Sequence, residues 1–117
     1  MKVAVFSAKN YDREMALIAE MKSADNDRQI IGVGRLIKEH GCDDAEFAIL
    51  ISDSWQGKGL GTELLSLLVE VGRKEGVRRI VGHIIPENIA MVHVSKKAGF
   101  NVSFQKSEDE YTAIMDL

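Results

Sequence analysis

Cysteine occurs once in these 117 residues, and so does proline. A lone Cys42 excludes an internal disulfide and lacks the companions of a cysteine zinc site, so the expected setting is reducing, with the cytoplasm as the compartment. No apolar run approaches the roughly 20 residues of a membrane helix. The apolar opening, residues 3–6, is too short for a signal-peptide core and lacks a following small-residue cleavage pattern, so no membrane is expected. A basic excess is missing too: 15 Lys and Arg against 18 Asp and Glu leave a formal charge of −3. With a pI near 5.6 there is no global field for a polyanion. Only Lys58, Arg73, Lys74, Arg78 and Arg79 could form a local basic face, and nucleic acid is not an expected partner. Repeats, linkers and low-complexity stretches are absent. What remains is 45% hydrophobic and 28% charged, a chain of one domain's length with one core to bury.

Strand-type runs cover residues 2–7, 14–21, 29–37 and 45–51, separated by polar or glycine-containing turns such as 24–27 and 40–43, the pattern of a meander. The period then changes. Leu60, Leu64, Leu67, Leu68 and Val71 recur at helical spacing, with Arg73 and Lys74 in the last turn and Gly76 just beyond as a left-handed cap. A strand over 79–85 follows. Pro86 and Asn88 open a shorter helix with Met91, Val94, Ser95 and Ala98 inward, closed by Gly99. The runs 101–106 and 111–117, flanking the acidic turn 107–110, predict a terminal hairpin. Met15, Met21, Met91 and Met115 read as core filler.

Between the fourth strand and the long helix stands WQGKGLG, residues 55–61, with three glycines. Any one of them could serve a tight turn. Three before a helix N-terminus, where unpaired N–H groups and the dipole attract anions, point to a phosphate-bearing ligand. The dinucleotide fingerprint would need glycine at Thr62, and the P-loop would need Ser or Thr at Gly59, so neither applies.

The segment Gln56-Gly57-Lys58-Gly59-Leu60-Gly61 instead matches Gln/Arg-x-x-Gly-x-Gly/Ala, the pyrophosphate-binding segment of the GNAT N-acetyltransferase superfamily. Its setting is similar as well: a strand before, a helix after, then a strand, a helix opening at Asn88, and Gly99-Phe100. YDREMALIAE, GVGRL, AEFAILISDSWQGKGLGTELL and IVGHIIPENIAM most resemble the acetyltransferase domain fused to acyl-CoA synthetase-like domains in bacterial protein lysine acetyltransferases. The resemblance runs from about residue 11 to the C-terminus. It implies one domain over 1–117 with an α/β (α+β) GNAT fold: a mixed, mostly antiparallel sheet, a central splayed parallel strand pair, and flanking helices. The implied donor is acetyl-CoA, its pantetheine entering between the strands 45–51 and 79–85.

By that resemblance the cofactor-binding residues are Ile49 and Ile51 through backbone groups, Gln56, Gly57, Lys58, Gly59, Leu60, Gly61 and Thr62 through the loop, and Asn88. Asn88 is equally an N-cap, and one side chain can serve both roles. An amine of pKa about 10.4 must lose a proton before it can attack. Glu46 is the candidate base, since the matching glutamate of the resembled enzymes has that role, and it lies in an otherwise apolar strand that favours proton acceptance. It could also be an ordinary solvent-facing residue. Many GNAT enzymes carry a tyrosine acid where this chain has Ser95, so Ser95 is not read as catalytic and the thiolate's proton must come from water or a relay. His83 replaces a glutamate of the relatives and reads as a solvent-facing strand histidine or an auxiliary base. Trp55 reads as an anchor under the loop. His40, His93 and Cys42 lack metal-ligand spacing, and no metal is expected.

Relatives place a strand and two helices before the region matching Tyr11. The opening MKVAVFSAKNYD is similar instead to the first strand of D-lactate dehydrogenase-type proteins and reads as one replacement strand. An N-terminally abbreviated fold leaves an open acceptor cleft or an apolar surface for a second subunit, so a homodimer is an expectation. Two functions remain open: acetyl transfer to a primary amine, of a small molecule or a protein lysine, or a non-catalytic acyl-CoA-binding or regulatory module.

Overall fold

Side chains alternate across a strand with period two, and one sheet built on that alternation organises the molecule. The computed structural model describes residues 2–6, 14–22, 25, 27–39 and 41–117. The strands are β1 (Lys2–Phe6), β2 (Glu14–Lys22), β3 (Arg28–Lys38), β4 (Asp44–Ile51), β5 (Arg79–Ile84), β6 (Asn101–Gln105) and β7 (Glu110–Asp116). The helices are α1 (Leu60–Lys74) and α2 (Ile89–Lys97), and a single 3-10 turn, Asp53–Trp55, follows β4. They form a seven-stranded sheet ordered β1-β2-β3-β4-β5-β7-β6. All neighbours are antiparallel except β4 and β5. The mixed fold with one central parallel pair is the expected class. Strand ends move by a residue or two; Ser7 lies outside the described residues.

Met15, Leu17 and Ala19 on β2, Leu36 on β3, Ala45 and Phe47 on β4 and Ile80 on β5 form the buried face of the sheet. Gly32 and Gly34 let α1 settle close on β3: a Cβ on either would lie 3.1 to 3.2 Å from Leu64 or Leu68. The helix face differs from expectation. Leu60, Leu64 and Leu68 are buried, but Leu65 and Val69 are buried with them, while Leu67 and Val71 are only partly covered. Gly61 explains this, because its α-carbon faces Val94 of α2, where an added Cβ would lie 3.3 Å away. Leu65, one turn on, continues that side, so α1 packs against a helix as well as a sheet. On α2, Val92 and Ser95 are buried, whereas Met91, Val94 and Ala98 are partly so.

The opposite face of the sheet carries Glu14, Arg35, Glu46, Ala48, Leu50, Arg79, His83 and Thr112. Arg35 pairs with Glu14 there, Arg79 donates to Asp116 at 2.8 Å, and Leu50 is 77% exposed. No described helix is long and apolar enough to cross a membrane.

Candidate functional site

The parallel ladder is short. Asp44 pairs with Arg79, Ala45 with Ile80 and Glu46 with Val81, and there it ends. Beyond that point β4 stays paired to β3 as far as Ile51, and β5 stays paired to β7 as far as Ile84. The two central strands therefore part while each keeps its outer neighbour. The Phe47 ring lies at the fork, so close to Gly82 that a Cβ there would collide with two ring carbons. Phe100 meets the same ring edge-on at 5.2 Å between centroids.

Hydrogen-bond phase decides which backbone groups face the opening. The Ser52 N–H donates to the Ile31 carbonyl at 2.9 Å, which makes Gly32–Ile51 and Gly34–Ile49 non-hydrogen-bonded pairs in the antiparallel ladder. Ile49 and Ile51 consequently aim their N–H and C=O groups away from β3, into the gap. One of them is taken: the Gln56 side-chain amide donates to the Ile51 carbonyl at 3.3 Å and to Asp53 at 3.3 Å. Gln56 thus braces the loop base from within.

At the wide end of the gap the loop turns into α1. Gly57 and Gly59 adopt φ of 75° and 85°, the left-handed region that side chains disfavour, and a Cβ on either would meet nothing within 4 Å. Their smallness leaves open space rather than admitting another part of the chain. The first intrahelical bond runs from the Glu63 N–H to the Gly59 carbonyl at 3.1 Å, and none of the N–H groups from Gly57 to Thr62 has an acceptor among the described residues. Six successive bare donors at a helix N-terminus are an arrangement chemically suited to an anion. Leu60 contributes only backbone, since its side chain is buried in the core. Lys58 lies over the Trp55 ring, 5.1 Å from its centroid, and Trp55 also packs against the core.

These parts border a cleft of about 380 Å³ whose lining joins Ile49, Ile51, Gln56, Gly57, Gly59, Gly61, Thr62 and Asn88. Lys58 and Leu60 do not line it. The Asn88 side chain, which lines the cleft, accepts from the Met91 N–H at 3.1 Å as an N-cap. Sequence reading missed the α2 wall: Ala90, His93, Val94 and Lys97 line the cleft too. Their spacing at i, i+3, i+4 and i+7 was the available signal. A wider depression of about 570 Å³ lies at the other end of β4 and β5, bordered by Cys42, Asp43, Asp44, Arg78, Arg79, Asp116 and Leu117. It contains none of the expected residues, and the bare amides do not face it.

Glu46 does not line the cleft. It is half-buried on the open face of the sheet, at the last parallel pair, where the strands begin to part. His83 lies on the same face and its Nδ1 is 2.9 Å from Glu110 Oε1. Ser95 is fully buried, its Oγ without a partner among the described residues. Glu39, Cys42 and Asp44 bring ligand atoms within 4.8 Å of one another far from the cleft, a grouping that linear spacing did not reveal; His40 lies outside the described residues.

A family model described as acetyltransferase (GNAT) domain matches residues 2–101, taking in the opening strand. The L-methionine sulfoximine/L-methionine sulfone acetyltransferase of Pseudomonas aeruginosa is 35% identical over 60 residues, 51% of this chain and 35% of that one. Acetyltransferase Pat of Mycolicibacterium smegmatis is 30% identical over 71 residues, 60% of this chain and 21% of that one. The matches thus span about a third or less of these curated relatives. Among solved structures, the GNAT domain of S. lividans PAT superposes with a TM-score of 0.77 at 25% identity, covering 96% of this chain and 70% of that one. On the family match over residues 2–101, together with this fold, the chain belongs to the acetyltransferase (GNAT) domain family.

Proposed function

We propose that this chain transfers an acetyl group from acetyl-CoA to a primary amine by direct attack, with Glu46 as the proton acceptor. The family uses acetyl-CoA as its acyl donor. The observation that carries the reading is the parting of β4 from β5 after Glu46 and Val81, which leads straight to the bare amides of Gly57–Thr62. An extended amide-bearing chain fits the gap as a surrogate strand, with Ile49 and the Ile51 N–H as hydrogen-bond partners. A diphosphate fits the amide seat, and Lys97 and His93 on the α2 wall suit further anionic groups.

The donor supplies a thioester whose carbonyl gains negative charge as the amine attacks; a backbone N–H on the gap edge would stabilise that charge. Glu46, on the opposite side of the sheet from the helices, suits removal of the ammonium proton before attack. The acceptor then approaches from the open face while the donor lies on the helix side. Activity on an L-methionine sulfoximine or sulfone in one relative supports a small primary amine as acceptor, and a protein lysine presents the same group.

Calorimetric titration with acetyl-CoA, followed by thiol release with L-methionine sulfone, spermidine and a lysine peptide, tests the reading. Glu46→Gln is expected to bind acetyl-CoA as wild type does and to lose about 10²-fold or more in turnover. Equal turnover in both proteins across neutral pH would remove Glu46 from this role. Binding without transfer to any amine would leave an acyl-CoA-binding module.

A further inference from the structure

A strand histidine with no carboxylate nearby in sequence is ordinarily a surface residue, yet the fold gives His83 a partner 27 residues away, Glu110. The two sit on adjacent strands, His83 opposite Thr112 and Glu110 two residues earlier on β7, so both point to the open face. Their side chains are 46% and 27% exposed. An ionised carboxylate can only accept, so in the neutral imidazole this contact favours the tautomer with its hydrogen on Nδ1 and the lone pair on Nε2. Among the described residues Nε2 has no partner. The arrangement is that of a base oriented by a second group.

Its place in the split gives this a use. Glu46 is opposite Val81 at the apex, and His83 lies two residues further along β5 on the same face, roughly 6.6 Å up the opening arm. Glu46 and His83 therefore border the gap from the side on which the acceptor would enter. The other charged groups on that face include Asp44 on β4, Arg79 on β5 and Asp116 on β7, with the paired Glu14 on β2 and Arg35 on β3 further across the sheet; β6 offers only Asn101, Ser103 and Gln105.

An ammonium that becomes an amide sheds two protons, and Glu46 accounts for one. We propose that His83 is a further catalytic residue, receiving the second amine proton at Nε2, with Glu110 as its positioning residue. This rests on the acetyl-transfer reading above. As the C–N bond forms, the C–S bond breaks and its electron pair leaves on sulfur. The surplus proton on nitrogen passes to Nε2, and Glu110 stabilises the resulting imidazolium. Of the two protons shed, one reaches the thiolate through solvent and the other is released, which matches the lack of an acid at Ser95.

The test compares wild type, His83→Gln and Glu110→Gln in thiol release with acetyl-CoA and whichever of L-methionine sulfone, spermidine and a lysine peptide wild type uses best, across pH. Coenzyme A binding by calorimetry and the His83 tautomer by ¹⁵N NMR are measured on the same proteins without acceptor. His83→Gln should lower kcat about 10²-fold, flatten the pH profile and leave coenzyme A affinity unchanged. Glu110→Gln should fall between it and wild type, and the single Nδ1–H tautomer of wild type should become a mixture. An active wild type whose His83→Gln variant keeps kcat and pH profile overturns this inference and leaves the acetyltransferase reading standing, as does a wild-type tautomer with the hydrogen on Nε2. A wild type that neither binds coenzyme A nor acetylates any of the amines overturns both.

Discussion

Ser95 and Gly82 show how single residues are set by what surrounds them. The Ser95 hydroxyl is fully buried without a partner among the described residues, and an unmet buried hydroxyl costs roughly 1–3 kcal/mol. Ser95→Ala should therefore raise stability by about 1 kcal/mol in chemical denaturation and leave acetyl transfer unchanged; a loss of either would contradict the inert reading. Gly82 has no room for a methyl group, since Phe47 occupies it. Gly82→Ala should cost about 1–3 kcal/mol by overpacking, and Phe47→Leu should recover part of that loss in the double variant. Additive effects within about 0.5 kcal/mol would mean that the ring and the glycine are not in conflict.

At the scale of elements, the loop and first turn of α1 carry the proposed anion seat, and two substitutions separate its parts. Gly59→Asp keeps a residue type that tolerates the left-handed region, so stability should fall by only about 1 kcal/mol, while coenzyme A binding should vanish because a carboxylate enters the seat. Lys97→Glu, on the facing wall, should weaken binding at low salt, and the difference from wild type should shrink as salt rises. A salt-independent difference would show that Lys97 acts by shape. Much of this site was legible beforehand. The glycine spacing, the N-cap at Asn88 and the strand before the loop are local features, and local features are written in adjacent residues. The pieces joined by the fold were not. Glu110 reaches His83 from another strand, Lys97 lines the cleft only because α2 lies against α1, and Leu65 replaces Leu67 on the buried face because Gly61 admits Val94.

At the scale of the molecule, both helices cover one face of the sheet and leave the other to Glu46, His83, Ala48 and Leu50. The homodimer held as an expectation would appear as a concentration-dependent species in sedimentation; a monomer at every concentration would remove it. The proposed donor and acceptor sides of the sheet meet where β4 leaves β5, and the proposal stands on that opening and the amides beside it. Titrating acetyl-CoA into the wild-type chain and into Gly59→Asp tests this most directly. Saturable heat with a raised melting temperature in the first, and neither in a folded second, is the predicted result. Neither heat nor a melting shift in the wild-type chain would contradict it.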